Sequence, residues 1–204
     1  MKINFEFVDK HYAARTHEKM KEVLMDPNGD GPVNYYYMIR GGKEQKNITI
    51  WEPGTVCGEY IKTYGHYHVG KLDETYWILY GKAVAVEQKL ALDKEGNMIP
   101  NVVEEFRAIP VKAGDSIHFA SGHGHLCANV GGTYFVTADD SPVGFEDKKD
   151  EASMPGHADY LLVQKMRGFA YYVVEYRGKP ALVKNKLYKE IKKQDLGGLL
   201  IIEK

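Results

Sequence analysis

His66-Tyr67-His68, followed by Glu74, is a set of side chains that can hold a metal ion. Imidazole nitrogens and a carboxylate oxygen suit a divalent first-row ion, provided the chain brings them together. The stretch "TYGHYHVGKLDETYWILYG" reads as strand, loop, strand. Side chains on a strand alternate between its two faces, so His66 and His68 point one way and Tyr67 the other. On the second strand Glu74, Tyr76, Ile78 and Tyr80 share a face, and the loop "VGKLD" is short enough to bring Glu74 beside the two imidazoles. A fourth donor has to come from elsewhere. "AGDSIHFASGHGHLCANVGG" reads turn, strand, turn, strand, with His125 opening the last strand. Placed opposite the first pair of strands in a small barrel, His125 completes the set. A lone histidine is ordinarily a surface or packing residue. The combination of His-x-His, Glu and a second histidine segment favours a site for one divalent transition metal (Fe, Mn, Ni or Zn), and this donor set does not choose among them.

Such a site needs strands to position it. From Val33 onward the chain breaks into short β-like pieces: "VNYYYMIR", "NITIWE", "TYWILYG", "KAVAVEQKL", "VEEFRAIPV", "DSIHFA", "GHLCANV" and "TYFVTAD". Gly-rich and polar turns separate them, the pattern of an all-β barrel or sandwich. Residues 10–25 are poor in β-branched types and predict a short helix, which "DPNGDGP" terminates. The polar run from Asp139 to His157 is longer than compact-domain connections usually are. "FAYYVVEYRGKPALVKN" predicts two strands about a turn at Arg177-Gly178, the lysine-rich tail predicts a helix ended by Gly197-Gly198, and "LLII" a last strand. The expectation is one domain over 1–204, with a flank at 1–47, a core at 48–138 and a closing region at 139–204.

A chain of 204 residues can bury roughly two-thirds to three-quarters of its unfolded surface. Its net charge of -1 gives no general attraction to nucleic acid or to an anionic membrane. The N-terminus lacks the apolar run of a signal peptide, and no run approaches the roughly 18 residues of a membrane span. The two cysteines, Cys57 and Cys127, are expected to be reduced, buried and small in a cytoplasmic protein. His118 is expected to face outward, His123 to be a turn residue, and Tyr35, Tyr36 and Tyr37 to pack.

These residues carry a family resemblance. "GHYHVGKLDETYWILYG" resembles the first cupin motif and "GDSIHFASGHGHLCAN" the second, with Ala120 where that family usually has proline. The resemblance implies a small antiparallel jelly-roll barrel, all-β, holding a metal through His66, His68, Glu74 and His125. More specifically, "ITIWEPG", "GEYIKTYGHYH", "EQKL" and "GHADYLLVQKMRGFAYYVVEYRGKPALVKN" are similar to the cupin-type glucose-6-phosphate isomerases, over roughly Val33 to Asn185. That likeness implies metal-dependent interconversion of glucose 6-phosphate and fructose 6-phosphate, a step of glycolysis and gluconeogenesis, by a homodimer. It implies phosphate contacts at Thr49, Thr63 and Gly65, a pocket wall at Tyr76, and closing residues His157 and Tyr160. Glu74 would shuttle the proton and His157 would assist ring opening.

The chain departs from the family pattern in three places. The loop between His68 and Glu74 is one residue shorter, residues 143–154 look inserted, and "TADDSP" stands where the family tends to have a tyrosine. Asp139 or Asp140, if it pointed inward, would repel a phosphate. Another metal-dependent cupin enzyme, an oxygenase or decarboxylase, and a non-catalytic sugar-binding cupin are the alternatives.

Overall fold

A computed structural model describes residues 12–41, 47–142 and 158–203. The chain opens with β1 (Tyr12–Thr16) and one helical turn, α1 (His17–Met20), followed by β2 (Asn34–Ile39), β3 (Asn47–Trp51), β4 (Thr55–Val56), β5 (Glu59–Tyr60) and β6 (Tyr67–His68). The centre is β7 (Glu74–Tyr80), β8 (Lys82–Leu92), β9 (Met98–Lys112), β10 (Ser116–Phe119), β11 (Gly124–Asn129) and β12 (Phe135–Asp139). The closing region holds β13 (Ala158–Asp159), α2 (Leu161–Lys165), β14 (Tyr171–Tyr176), β15 (Lys179–Lys184), β16 (Glu190–Asp195) and β17 (Ile201–Ile202).

Two sheets face each other across the core. One runs β1-β2-β3-β12-β7-β10 and the other β11-β8-β9-β16. Alternation sorts the first sheet: Tyr36, Trp51, Phe135 and Ile78 are buried inward, while Ile50, Val136 and Trp77 on the other face are only half-buried. Trp51 and Phe135 pack with ring centroids 4.9 Å apart. In the second sheet every residue of β11 is buried, as expected of a strand covered on both faces. The closing region supplies part of that cover, with Tyr171 against Phe106. Gln88 ties it down: its amide donates to the hydroxyls of Tyr67 and Tyr188, and its carbonyl accepts from the Ala170 N–H. The result is the all-β jelly-roll barrel anticipated from the sequence.

The N-terminal flank is pinned by a buried ion pair. Lys62 Nζ donates to the Val23 carbonyl at 2.8 Å and lies 2.7 Å from Glu59 Oε1, while Glu59 Oε2 accepts from the Met25 N–H at 2.7 Å. Both side chains are at most 2% exposed.

Several expectations are corrected. Residues 10–25 are not mainly helical: Tyr12–Thr16 pairs as an edge strand with β2, and only His17–Val23 turns helically. The lysine-rich tail is a strand, because β16 pairs in parallel with the otherwise open edge of β9 and that pairing overrides helical propensity. Cys57 is exposed at φ 49°, whereas Cys127 is buried, and no disulfide joins them. The Arg177-Gly178 turn forms with both φ values positive, 52° and 74°, matching the twist of a two-residue hairpin.

Candidate metal centre

Two strand pairings build the site. His66 and His125 form an isolated antiparallel bridge, with N–H···O distances of 3.2 and 3.0 Å between their backbones. This register brings their imidazoles together edge to face, with ring centroids 4.5 Å apart. His68, two residues on, returns to the same side, 4.7 Å from His66, while the Tyr67 ring goes the other way into the core beside Phe169. Glu74 enters as the first residue of β7, which β10 holds through the Phe119–Glu74 pair. Phe119 stacks on His125 at 4.3 Å and fixes its ring plane.

One donor atom from each of His66, His68, Glu74 and His125 lies within 4.8 Å of the others. That is close to the spread of donors around a single ion bound at about 2.0–2.2 Å. Glu74 Oε2 is 3.2 Å from His68 Nε2 and 2.8 Å from His125 Nε2. The second contact is close in distance but not aligned as a hydrogen bond, and both ring nitrogens of His125 are buried without a hydrogen-bond partner. Buried polar atoms are normally paired, so a buried Nε2 that faces the Glu74 carboxylate without a hydrogen bond fits the role of a metal ligand. Burial depresses the His66 pKa, the neighbouring His125 adds to that, and the ring stays neutral and ready to donate. Burial would raise the Glu74 carboxyl, but His125 and the His68 contact outweigh it and hold Glu74 well below the usual carboxylate range. The donor set and its charge state therefore fit a divalent metal.

The other sequence-derived residues fall at graded distances from this centre. Tyr76 lines the wall, edge-on to His125 at 5.6 Å. Tyr160 packs 5.7 Å from His66. Thr49 is buried on β3, and its Oγ1 accepts from Arg40 at 3.4 Å. Thr63 accepts the Cys127 N–H through Oγ1 at 3.1 Å, which leaves its own O–H free to donate. Gly65 sits at φ +82°, a conformation L side chains rarely adopt, with Leu126 and Phe169 packed against it. His157 and the segment 143–154 lie outside the described residues. His123 stays out of the centre and holds Glu87 Oε1 at 2.8 Å, with Arg107 on Oε2 at 2.9 Å. His118 is exposed.

The acidic corner splits its two carboxylates. Asp140 turns outward and accepts the Thr75 N–H at 2.7 Å. Asp139 turns inward, where the Asn47 amide donates to it at 2.6 Å and the Ser141 N–H at 3.2 Å, with Arg40 3.8 Å away. The charge that would repel an anion thus faces a cation. Two polar groups near the centre have no place among the sequence expectations. Ser141 donates its hydroxyl to Glu74 Oε1, and nothing in "DDSP" signalled that contact. Arg40 was legible by parity, because it follows Tyr36 and Met38 on the inward face of one strand.

Comparison with known proteins places the chain. The glucose-6-phosphate isomerase (GPI) family matches over residues 34–190. No curated protein sequence matches. Among solved structures, a predicted oxalate decarboxylase from Thermotoga maritima is similar at 20% identity, covering 63% of this chain and 89% of its own, with TM-score 0.39. The capsular polysaccharide assembling protein CapF from Staphylococcus aureus is similar at 19% identity (60% of this chain, 30% of its own, TM-score 0.38), and oxalate oxidase in complex with glycolate at 19% (46% and 39%, TM-score 0.34). Those scores are too low to carry an argument about chemistry. The family match spans well over half of the sequence and runs through all four candidate ligands: the chain belongs to the cupin-type glucose-6-phosphate isomerase family.

Proposed function

We propose that the protein is a metal-dependent aldose–ketose isomerase that interconverts glucose 6-phosphate and fructose 6-phosphate. The observation that supports this best is the buried His66, His68, Glu74 and His125 cluster with its unpartnered His125 nitrogens, within a chain of this family. When bound, a divalent ion there would polarise the substrate's hydroxyl and carbonyl oxygens.

The chain's own groups do the rest. Moving a hydrogen between C1 and C2 needs a base that takes a proton from one carbon and returns it to the next. Glu74 can divide its two oxygens between tasks. Oε2 faces the imidazoles, while Oε1 faces Ser141, whose hydroxyl fixes the lone pair that would meet the substrate. Burial and the Glu74 charge both push the Tyr76 hydroxyl pKa upward, so it stays protonated as a neutral donor on the wall. Tyr160 likewise stays protonated, through burial first. Thr49, Thr63 and the Gly65 backbone are read as contacts to the phosphate.

A coupled assay decides the matter: protein loaded with Fe(II), Mn(II), Ni(II) or Zn(II) should convert fructose 6-phosphate, and should lose that activity with chelator and in Glu74→Gln. Stoichiometric metal binding with no turnover for any ion would refute the reading.

A further inference from the structure

A phosphate in a half-buried pocket carries close to two negative charges, and threonine hydroxyls can hydrogen-bond to it without neutralising it. A fixed cation beside it would offset that charge. Two guanidinium groups are near the centre. Arg15 donates to the Tyr36 hydroxyl, and its charge lies over the rings of Tyr36, Tyr64 and Tyr160 at 5.4–5.9 Å, so it is already well occupied. Arg40 is different. Its side chain is one-third exposed (33%), and its NH1 reaches Thr49 Oγ1 at 3.4 Å and Asp139 Oδ2 at 3.8 Å. A guanidinium has five N–H donors, and these two long contacts to one nitrogen leave most of that capacity unspent.

The surroundings point the same way. Thr49 and Thr137 are opposite each other on β3 and β12, and the Thr137 hydroxyl is fully buried with no partner. Arg40 also acts electrostatically on His66, Tyr76 and Tyr160, so its charge is felt at the metal centre. Asp139 is held by Asn47 and Ser141 and does not need Arg40 for its hydrogen bonds.

We propose that Arg40 is the cation that recognises the substrate's phosphate, with the Thr49 and Thr137 hydroxyls beside it, and that Asp139 competes with the phosphate for the same guanidinium. The inference rests on the sugar-phosphate reading of the site. It makes Asp139 a restraint on affinity, so the two charges pull ligand binding in opposite directions.

Calorimetric titration of the full metal-free chain with fructose 6-phosphate and with fructose tests it without turnover. Arg40→Leu should weaken fructose 6-phosphate binding by about tenfold or more and leave fructose unaffected, and Arg40→Lys should recover part of the loss. Asp139→Asn should tighten fructose 6-phosphate severalfold, an outcome that a merely structural role would not produce. This variant also keeps the test decisive if Arg40→Leu does not fold. Equal binding of the two sugars by the wild-type chain, no binding of either, unchanged affinity in Arg40→Leu, or Asp139→Asn that binds no tighter would each overturn the proposal. The two readings fail separately. Phosphate-selective, Arg40-dependent binding with no turnover under any metal sinks the isomerase and spares the clamp. Turnover with an unchanged KM in Arg40→Leu does the reverse.

Discussion

The Glu59–Lys62 pair and the Glu74 cluster both bury carboxylates beside cationic or basic groups, yet they are built to opposite ends. At the first, Lys62 has a carbonyl, a carboxylate and the Tyr172 ring face around it, and Glu59 accepts a backbone N–H. Although Glu59 Oε1, like the His125 nitrogens, makes no aligned hydrogen bond, it faces an ammonium 2.7 Å away, and the charge-matched pair clamps the chain at Val23 and Met25. At the second, three imidazoles crowd one carboxylate and His125 has no hydrogen bond at either nitrogen. A buried charge whose partners are all protein is structure; a buried donor set left incomplete is a place for something else.

That contrast can be broken by experiment. Glu59→Ala strands a buried ammonium and should cost about 3–5 kcal/mol in urea unfolding of the metal-free protein. Glu74→Gln should cost clearly less on the same measurement, and an equal loss would erase the distinction. Next in size, Mn(II) or Zn(II) at a hundred times its Kd should stabilise the wild type by about 2.7 kcal/mol, seen as a rise in Tm, and should leave His66→Ala unmoved. A rise of the same size in His66→Ala would place the ion elsewhere. Gly65→Ala forces a side chain into a left-handed backbone against Phe169 and Leu126. It should cost about 1–2 kcal/mol whether or not metal is present, because the strain belongs to the scaffold.

Asp139 sharpens the comparison from between the two cases. Burial, and then the Glu74 charge, raise its pKa from 3.8 to about 6. The folded state therefore holds this proton more tightly than the unfolded chain does. Stability should fall as pH rises across that window, by about 1 kcal/mol per pH unit, and flatten above it. Unfolding curves of wild type against Asp139→Asn isolate the slope, and parallel curves would show that Asp139 titrates normally.

The metal cluster was legible because it depends on local rules. Strand alternation sends His66 and His68 together, and turn chemistry places Glu74 and His125 at strand starts, so short windows of sequence were enough. The Arg177-Gly178 hairpin was legible for the same reason. What escaped depends on partners remote in sequence. β16 has no apolar alternation to announce a strand; it forms because β9 offers an open edge. β1 reads as helical until β2 pairs with it. Asp139 and Asp140 look equivalent in "ADDSP", and only the β12 register, with Asp139 opposite Asn47, turns one inward. Arg40 carried a signal in its parity, and Ser141 carried none.

The edge strand β16 has a consequence beyond the site. It is the outermost strand of its sheet and presents a row of backbone groups that another chain could extend. Lys189, Glu190, Lys192, Lys193 and Asp195 stud that strand and its approach, all exposed, and Lys192 pairs with Glu104. Charged side chains along an edge keep it solvated and oppose pairing with another strand. The charges of a segment that reads as a helical tail thus blunt an open sheet edge, and the strand can close the sheet without inviting the next molecule to join it.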